Sequence, residues 1–164
     1  VKKKLSVFFF EGLLLNYPEG NLREEWLKDP ECLYYPNVSD IPGPDAWDQF
    51  ACSFFRREIN ELKSDVILMT GIEAQENRIE SRIKQLIKFL GVEIDTVIRK
   101  DPGEETFKFC MSKLGYHLSC MKDTKASYNE INLYLNDLEL AKDIADYIIT
   151  EFSITTIVHD LYSS

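Results

Sequence analysis

Four short stretches place chemistry-bearing side chains directly after apolar runs. "VFFFEGLLLNYP" puts Glu11 and Gly12 behind a phenylalanine triplet, "MTG" offers Thr70 and Gly71, "RKDPGEETFK" offers Lys100 and Lys108, and "YLNDLE" offers Asn136 and Asp137. Two carboxylates, a hydroxyl and an amine are the side chains that hold a hard cation, move protons and bind an anion. They could act together only if the fold brings them to one place. Where a reactive carboxylate would stand at the tip of the first run, the chain has Phe9, which can neither attack an electrophile nor bind a metal.

The elements that would have to position these residues are legible as alternating patterns. Apolar runs at 5–10, 65–70, 95–98, 131–135 and 154–159 carry few polar residues, as strands covered on both faces do. Helical stripes lie between them. Trp47, Phe50, Ala51, Phe54, Ile59 and Leu62 form the first, and Ile79, Ile83, Leu86, Ile87 and Leu90 the second, closed by Gly91. Phe107, Cys110, Met111 and Leu114 form a third that ends at Gly115, and Ala141, Ile144, Ala145, Ile148 and Ile149 a fourth. Strand alternating with helix predicts an α/β domain, doubly wound in three layers around a parallel sheet. In such sheets function gathers beyond the carboxyl ends of the strands, where strand order reverses, and the four stretches above all fall there. With Asp137 just ahead of the last helical stripe, an N-cap role is expected for it. Thr70 reads as a turn hydrogen-bonder, Glu11 as a solvated turn acid, and Lys100 and Lys108 as solvated.

Residues 16–46 break the alternation and hold five of the six prolines. They read as one irregular insertion of the kind that forms lids or docking surfaces. Their aromatics Trp26, Tyr34 and Tyr35, with Trp47 just beyond, are candidates either for protein contacts or for covering the sheet's end as core.

The 164 residues suit a single domain, 1–164, with a proper core. A net charge of −9, from 28 acids against 19 Lys and Arg, disfavours direct grip on a nucleic-acid backbone, because that grip works by counterion release to a basic face. The "KKKLSVFFF" start imitates a secretion signal, but Glu11 splits its apolar run and no small-residue cleavage site follows. No apolar stretch reaches the ~20 residues of a membrane span. Cys32, Cys52, Cys110 and Cys120 contain no C-x-x-C pair, and their spacing is that of neither a zinc site nor a redox motif, so free thiols in the cytoplasm or nucleus are expected. His117 and His159 are expected to be ordinary surface or partly buried imidazoles. The chain opens on Val1, as a piece of a longer protein would.

The ordered set "FFFEGLLLNYPEG", "GPDAWDQF", "LMTGI", "IRKDPGEETFKF" and "YLNDLELAKDIADY" resembles the haloacid dehalogenase superfamily. Within it the set is most similar to the Swiss Army Knife RNA repair-like domains. The resemblance covers essentially the whole chain. It implies a five-stranded parallel sheet in the order 5-4-1-2-3, with a nucleophilic Asp and an acid/base Asp after strand one. It further implies a phosphate-holding Thr, a Lys and paired acids that complete a Mg²⁺ shell. Carried over residue by residue, the nucleophile falls on Phe9 and the acid/base on Glu11. The Arg after the Thr-Gly pair falls on Ile72, the first paired acid on Asn136 and the Arg after the pair on Leu138; Thr70, Asp137 and Lys100 or Lys108 survive. The resemblance therefore implies a catalytically degenerate domain with no cofactor, serving as a protein-interaction module in an RNA-related setting. The alternative is a metal-dependent phosphatase or nucleic-acid end-processing hydrolase of altered mechanism, with Mg²⁺ held by Glu11 and Asp137.

Overall fold

The computed structural model describes residues 4–15, 47–71, 83–85, 87–88, 90–94, 96–101, 103–122 and 128–161. Five strands, β1 (Lys4–Phe9), β2 (Asp65–Thr70), β3 (Thr96–Arg99), β4 (Glu130–Tyr134) and β5 (Thr155–His159), form one sheet in the order β3-β2-β1-β4-β5. Every neighbouring pair is parallel. This is the α/β sheet and strand order that the sequence predicts, with each strand within a residue of its apolar run.

The helices are α1 (Gln49–Asn60), α2 (Thr106–Phe109), α3 (Gly115–Lys122) and α4 (Leu138–Phe152), with a π-helical turn, Cys110–Leu114, joining α2 to α3. Residues 83–85 and 87–88 are helical as well. Right-handed crossovers place α1 and the 83–88 turns on one face of the sheet and α2, α3 and α4 on the other. Burial agrees: Leu5, Val7 and Phe9 on one face of β1 and Ser6 and Phe8 on the other are all buried. β1 is the centre of the core.

Local chemistry sets the element ends. The Asp48 carboxylate accepts the Ala51 N–H at 2.9 Å and caps α1. Glu105 accepts from Phe107 and Lys108 to start α2, and those bonds hold its carboxyl below the ordinary range. Gly91 ends the 83–88 turns at φ 84°, the left-handed conformation expected of it. Gly115 does not end a helix. It keeps right-handed angles and starts α3, and a Cβ there would collide with the Tyr147 hydroxyl of α4. Its role is close approach between two helices.

Two patterns differ from expectation. β5 is an edge strand with Thr155 and Ile157 exposed, not a strand covered on both faces. The buried face of α1 is Ala51, Cys52, Phe55 and Glu58, whereas Phe50 and Leu62 are exposed. Hydropathy alone turns the stripe the wrong way, since it keeps a glutamate outside. After β1 the chain turns tightly, with Leu14 and Leu15 N–H both donating to the Phe10 carbonyl. Leu13, Leu14 and Leu15 are buried, and Leu15 bridges to Trp47. The two ends of the 16–46 segment are thereby joined; the segment, with Trp26, Tyr34 and Tyr35, lies outside the described residues. Cys52 and Cys110 are buried free thiols and Cys120 an exposed one. Among the described residues no helix is long and apolar enough to cross a membrane.

Candidate functional site

The order β3-β2-β1-β4-β5 puts the reversal of strand order between β1 and β4, so the crevice lies beyond their carboxyl ends. Phe9, Glu11, Thr70, Gly71, Asn136 and Asp137 come together at that end, as the motif order requires. What they do there is specific.

Glu11 is only 5 % exposed, so the expectation of a solvated turn acid is wrong. Its carboxylate reaches from the β1 turn to the end of β2. One oxygen accepts the Thr70 hydroxyl at 2.6 Å and the other accepts the Gly71 backbone N–H. Thr70 is fully buried and spends its hydroxyl on this bond. Gly71 allows the approach, because a Cβ there would stand 3.1 Å from Glu11 Oε1. A hydroxyl and a backbone N–H aimed at one point form an anion cradle, and here the chain's own carboxylate lies in it. An aspartate, one methylene shorter, would extend less far toward these donors.

Across the crevice the Asn136 side-chain amide donates to the Gly12 carbonyl, tying the end of β4 to the β1 turn. Gly12 takes φ 82°, a turn conformation natural to glycine. Asp137 caps α4 by accepting the Leu140 N–H at 3.1 Å, the expected N-cap role. Phe9 is 9 % exposed and belongs to the core. By strand alternation its ring faces the α2–α4 side, opposite the Phe8 ring, which packs edge-on against Phe55 of α1. Lys100 follows β3; its backbone N–H donates to the Thr70 carbonyl and its ammonium to the Glu104 carbonyl at 2.7 Å. It is part-buried and bonded, not simply solvated, while Lys108 is exposed. Leu138 opens α4, and Ile72 lies outside the described residues. Trp47 is buried and meets Phe10 edge-on at 6.0 Å, so it is core and not a surface contact.

The carboxylates that the family resemblance would give to Mg²⁺ do not fit that ion. Glu11 is turned toward Thr70 and Gly71, and Asp137 toward the first turn of α4. Among the described residues no three His, Cys, Asp or Glu side chains gather as a metal ligand set.

Sequence reasoning missed a second buried carboxylate. Glu58 of α1, 7 % exposed, accepts hydroxyls from Ser6 at 3.0 Å, Ser64 at 2.7 Å and Tyr134 at 2.9 Å. The Tyr134 ring is stacked between Phe8 and His159, at 4.3 Å from each, in register across β1, β4 and β5. His159 in turn bonds Asn132 at 2.7 Å, and Asn132 donates to Glu130 at 3.0 Å. Burial pushes the Tyr134 hydroxyl up, aided by Glu58, and pushes His159 below the ordinary histidine range against the pull of Glu58 and Glu130. The available signal was serine inside an apolar strand, a buried polar group that demands a partner.

At the opposite, amino end of the sheet lies a cavity of about 300 Å³, where the Tyr128 hydroxyl donates to Asp65 at 2.9 Å beside His117 and Glu93. Burial lowers His117 there, against the field of Asp65. His117 is far from the carboxyl-end crevice and shares nothing with Glu11 or Asp137.

No family model, curated protein or solved structure matches this chain.

Proposed function

We propose that this chain is a catalytically degenerate phosphatase-like domain that works as a protein-interaction module without a metal cofactor. The observation that carries the reading is the Glu11 clasp. The two donors at the end of β2 that would hold an anionic substrate, Thr70 and Gly71, are occupied by the chain's own carboxylate. Phe9 stands where a nucleophile would be needed, and Asn136 ties the crevice shut against Gly12. Asp137 caps α4, and the Lys100 ammonium donates to the Glu104 carbonyl.

An interaction role is supported by α1. Phe50 is 50 % exposed and meets Phe54 edge-on at 5.1 Å, an aromatic pair on a surface helix of the sort that anchors protein contacts.

The test is a pair of measurements on the purified chain. Aryl phosphate turnover is expected to be nil, and Mg²⁺ with inorganic phosphate is expected to leave the melting temperature unchanged. Ligand at 100 times its dissociation constant would add about 2.7 kcal/mol, which a melt detects. A magnesium shift lost in Asp137→Ala, or turnover of any phosphomonoester, would overturn the reading. For the interaction role, Phe50→Ser is expected to lose partners that the parent chain captures.

A further inference from the structure

β5 closes one end of the sheet. It pairs with β4 along Thr155–His159 and, among the described residues, with no strand on its other side. Such an edge presents a row of N–H and C=O groups to any second strand, and proteins blunt it with lysines, prolines, bulges or inward charges. The sequence Thr155-Thr156-Ile157-Val158-His159 has none of these. Each of the other four strands carries an ionisable residue of full charge: Lys4, Asp65, Arg99 and Glu130. The imidazole of His159 is part-buried and bonded to Asn132.

The face that holds Thr155, Ile157 and His159 is open. Ile157 is 39 % exposed at the middle of the strand, and Ile149, on the helix that leads into β5, is 47 % exposed.

We propose that β5 is a self-association edge, at which two copies of the chain join β5 to β5 in antiparallel fashion about a twofold axis at Ile157, extending the sheet across the pair. A second copy is the occupant because of charge and register. A chain of net charge −9 repels its own copies over most of its surface, and the β5 edge, with no Lys, Arg, Asp or Glu among its five residues, lets two copies meet without an ionised pair in the ladder. The five residues are self-complementary about their centre. Ile157 meets Ile157 of the second copy, Thr156 lies opposite Val158, and Thr155 lies opposite His159, so no ionised pair is formed. A five-residue ladder is small beside the ~1,600 Å² of a standard interface, and the pair is accordingly concentration-dependent, not permanent. The inference is independent of the catalytic reading of the β1–β4 crevice.

The experiment is sedimentation velocity on the intact chain over a concentration series, with amide hydrogen exchange read at 155–159. The expected result is a rise from one chain's mass to two, with β5 amides slowing as the pair fills. Ile157→Lys sets two like charges face to face at the axis and is expected to weaken association by about 100-fold or more. Ile157→Glu, which sets two like charges of the opposite sign at the same exposed position on the axis, repeats the test should Ile157→Lys fail to fold. A chain that stays monomeric throughout overturns the proposal, including the case of a different protein binding this edge. So does a dimer that survives both substitutions, or one whose β5 amides exchange as fast as in the monomer.

Discussion

Glu11 and Glu58 are both buried carboxylates, 5 % and 7 % exposed, yet they are solvated by different means. Glu11 is received by a hydroxyl and a backbone N–H from adjacent residues at the end of one strand. Glu58 collects three hydroxyls from a strand, a loop and a second strand. A buried charge is costly unless hydrogen bonds replace its water, so each site displays one way of meeting that cost. The first uses donors that any strand-end turn supplies, and it seals a crevice. The second uses donors brought together only by the finished sheet, and it pins α1 to β1 and β4. A local anion cradle can be filled by one residue; a distributed one requires the whole topology.

The strongest way to break this comparison is to add a carboxylate that has neither kind of support. Phe9→Asp puts one into the core in place of a ring, and the fold is expected to lose about 3–5 kcal/mol with no phosphatase activity gained. A variant as stable as the parent, or one that turns over substrate, would mean that the crevice still accommodates charge. Next in size is Glu58→Ala, which strands three hydroxyls in the interior; a loss of about 2–4 kcal/mol is expected by denaturant unfolding. Glu11→Gln keeps the shape and removes the charge from two charge-assisted bonds. About 1–2 kcal/mol is expected there, and a loss larger than that of Glu58→Ala would reverse the ranking. Tyr134→Phe deletes one of three donors while keeping the stack with Phe8 and His159, for a loss of about 1 kcal/mol.

The smallest expected effect is a slope. Burial holds the folded pKa of His159 below the ordinary 6.5, with Glu58 and Glu130 opposing. As pH falls through 6.5 the unfolded chain takes up a proton that the folded chain does not, so stability declines from there down to the folded pKa and levels off below it. Melting curves of His159→Gln should fall less steeply across that window, with His117, shifted the same way, supplying the remainder. Parallel curves for parent and variant would remove His159 from the balance.

The sheet was legible because its strands are apolar runs bounded by turn residues, and its order was what the family resemblance implied. Asp137 could be read as a cap because capping is local: the residue and the N–H it accepts lie three positions apart. The burial of Glu11 was not legible, since a glutamate beside a glycine looks the same whether water or a neighbouring strand end solvates it. Glu58 failed for the same reason at longer range, its partners lying 52, 6 and 76 positions away. Gly115 was misread because glycine serves both helix ends and helix contacts, and Tyr147, which decides the matter, is 32 residues on along the chain.

The buried thiols turn the molecule into its own timer. Burial pushes Cys52 up to about 11 and Cys110 up to about 12, so at neutral pH the reactive thiolate of Cys110 would be on the order of one molecule in 100,000 even if a reagent could reach it. An alkylating agent in solution therefore meets Cys120 at once, whereas Cys52 and Cys110 wait for the chain to open around them. Cys52 lies in α1 and Cys110 begins the π-helical turn on the opposite face of the sheet. Their two labelling rates would report separately how often each side of the sheet comes loose.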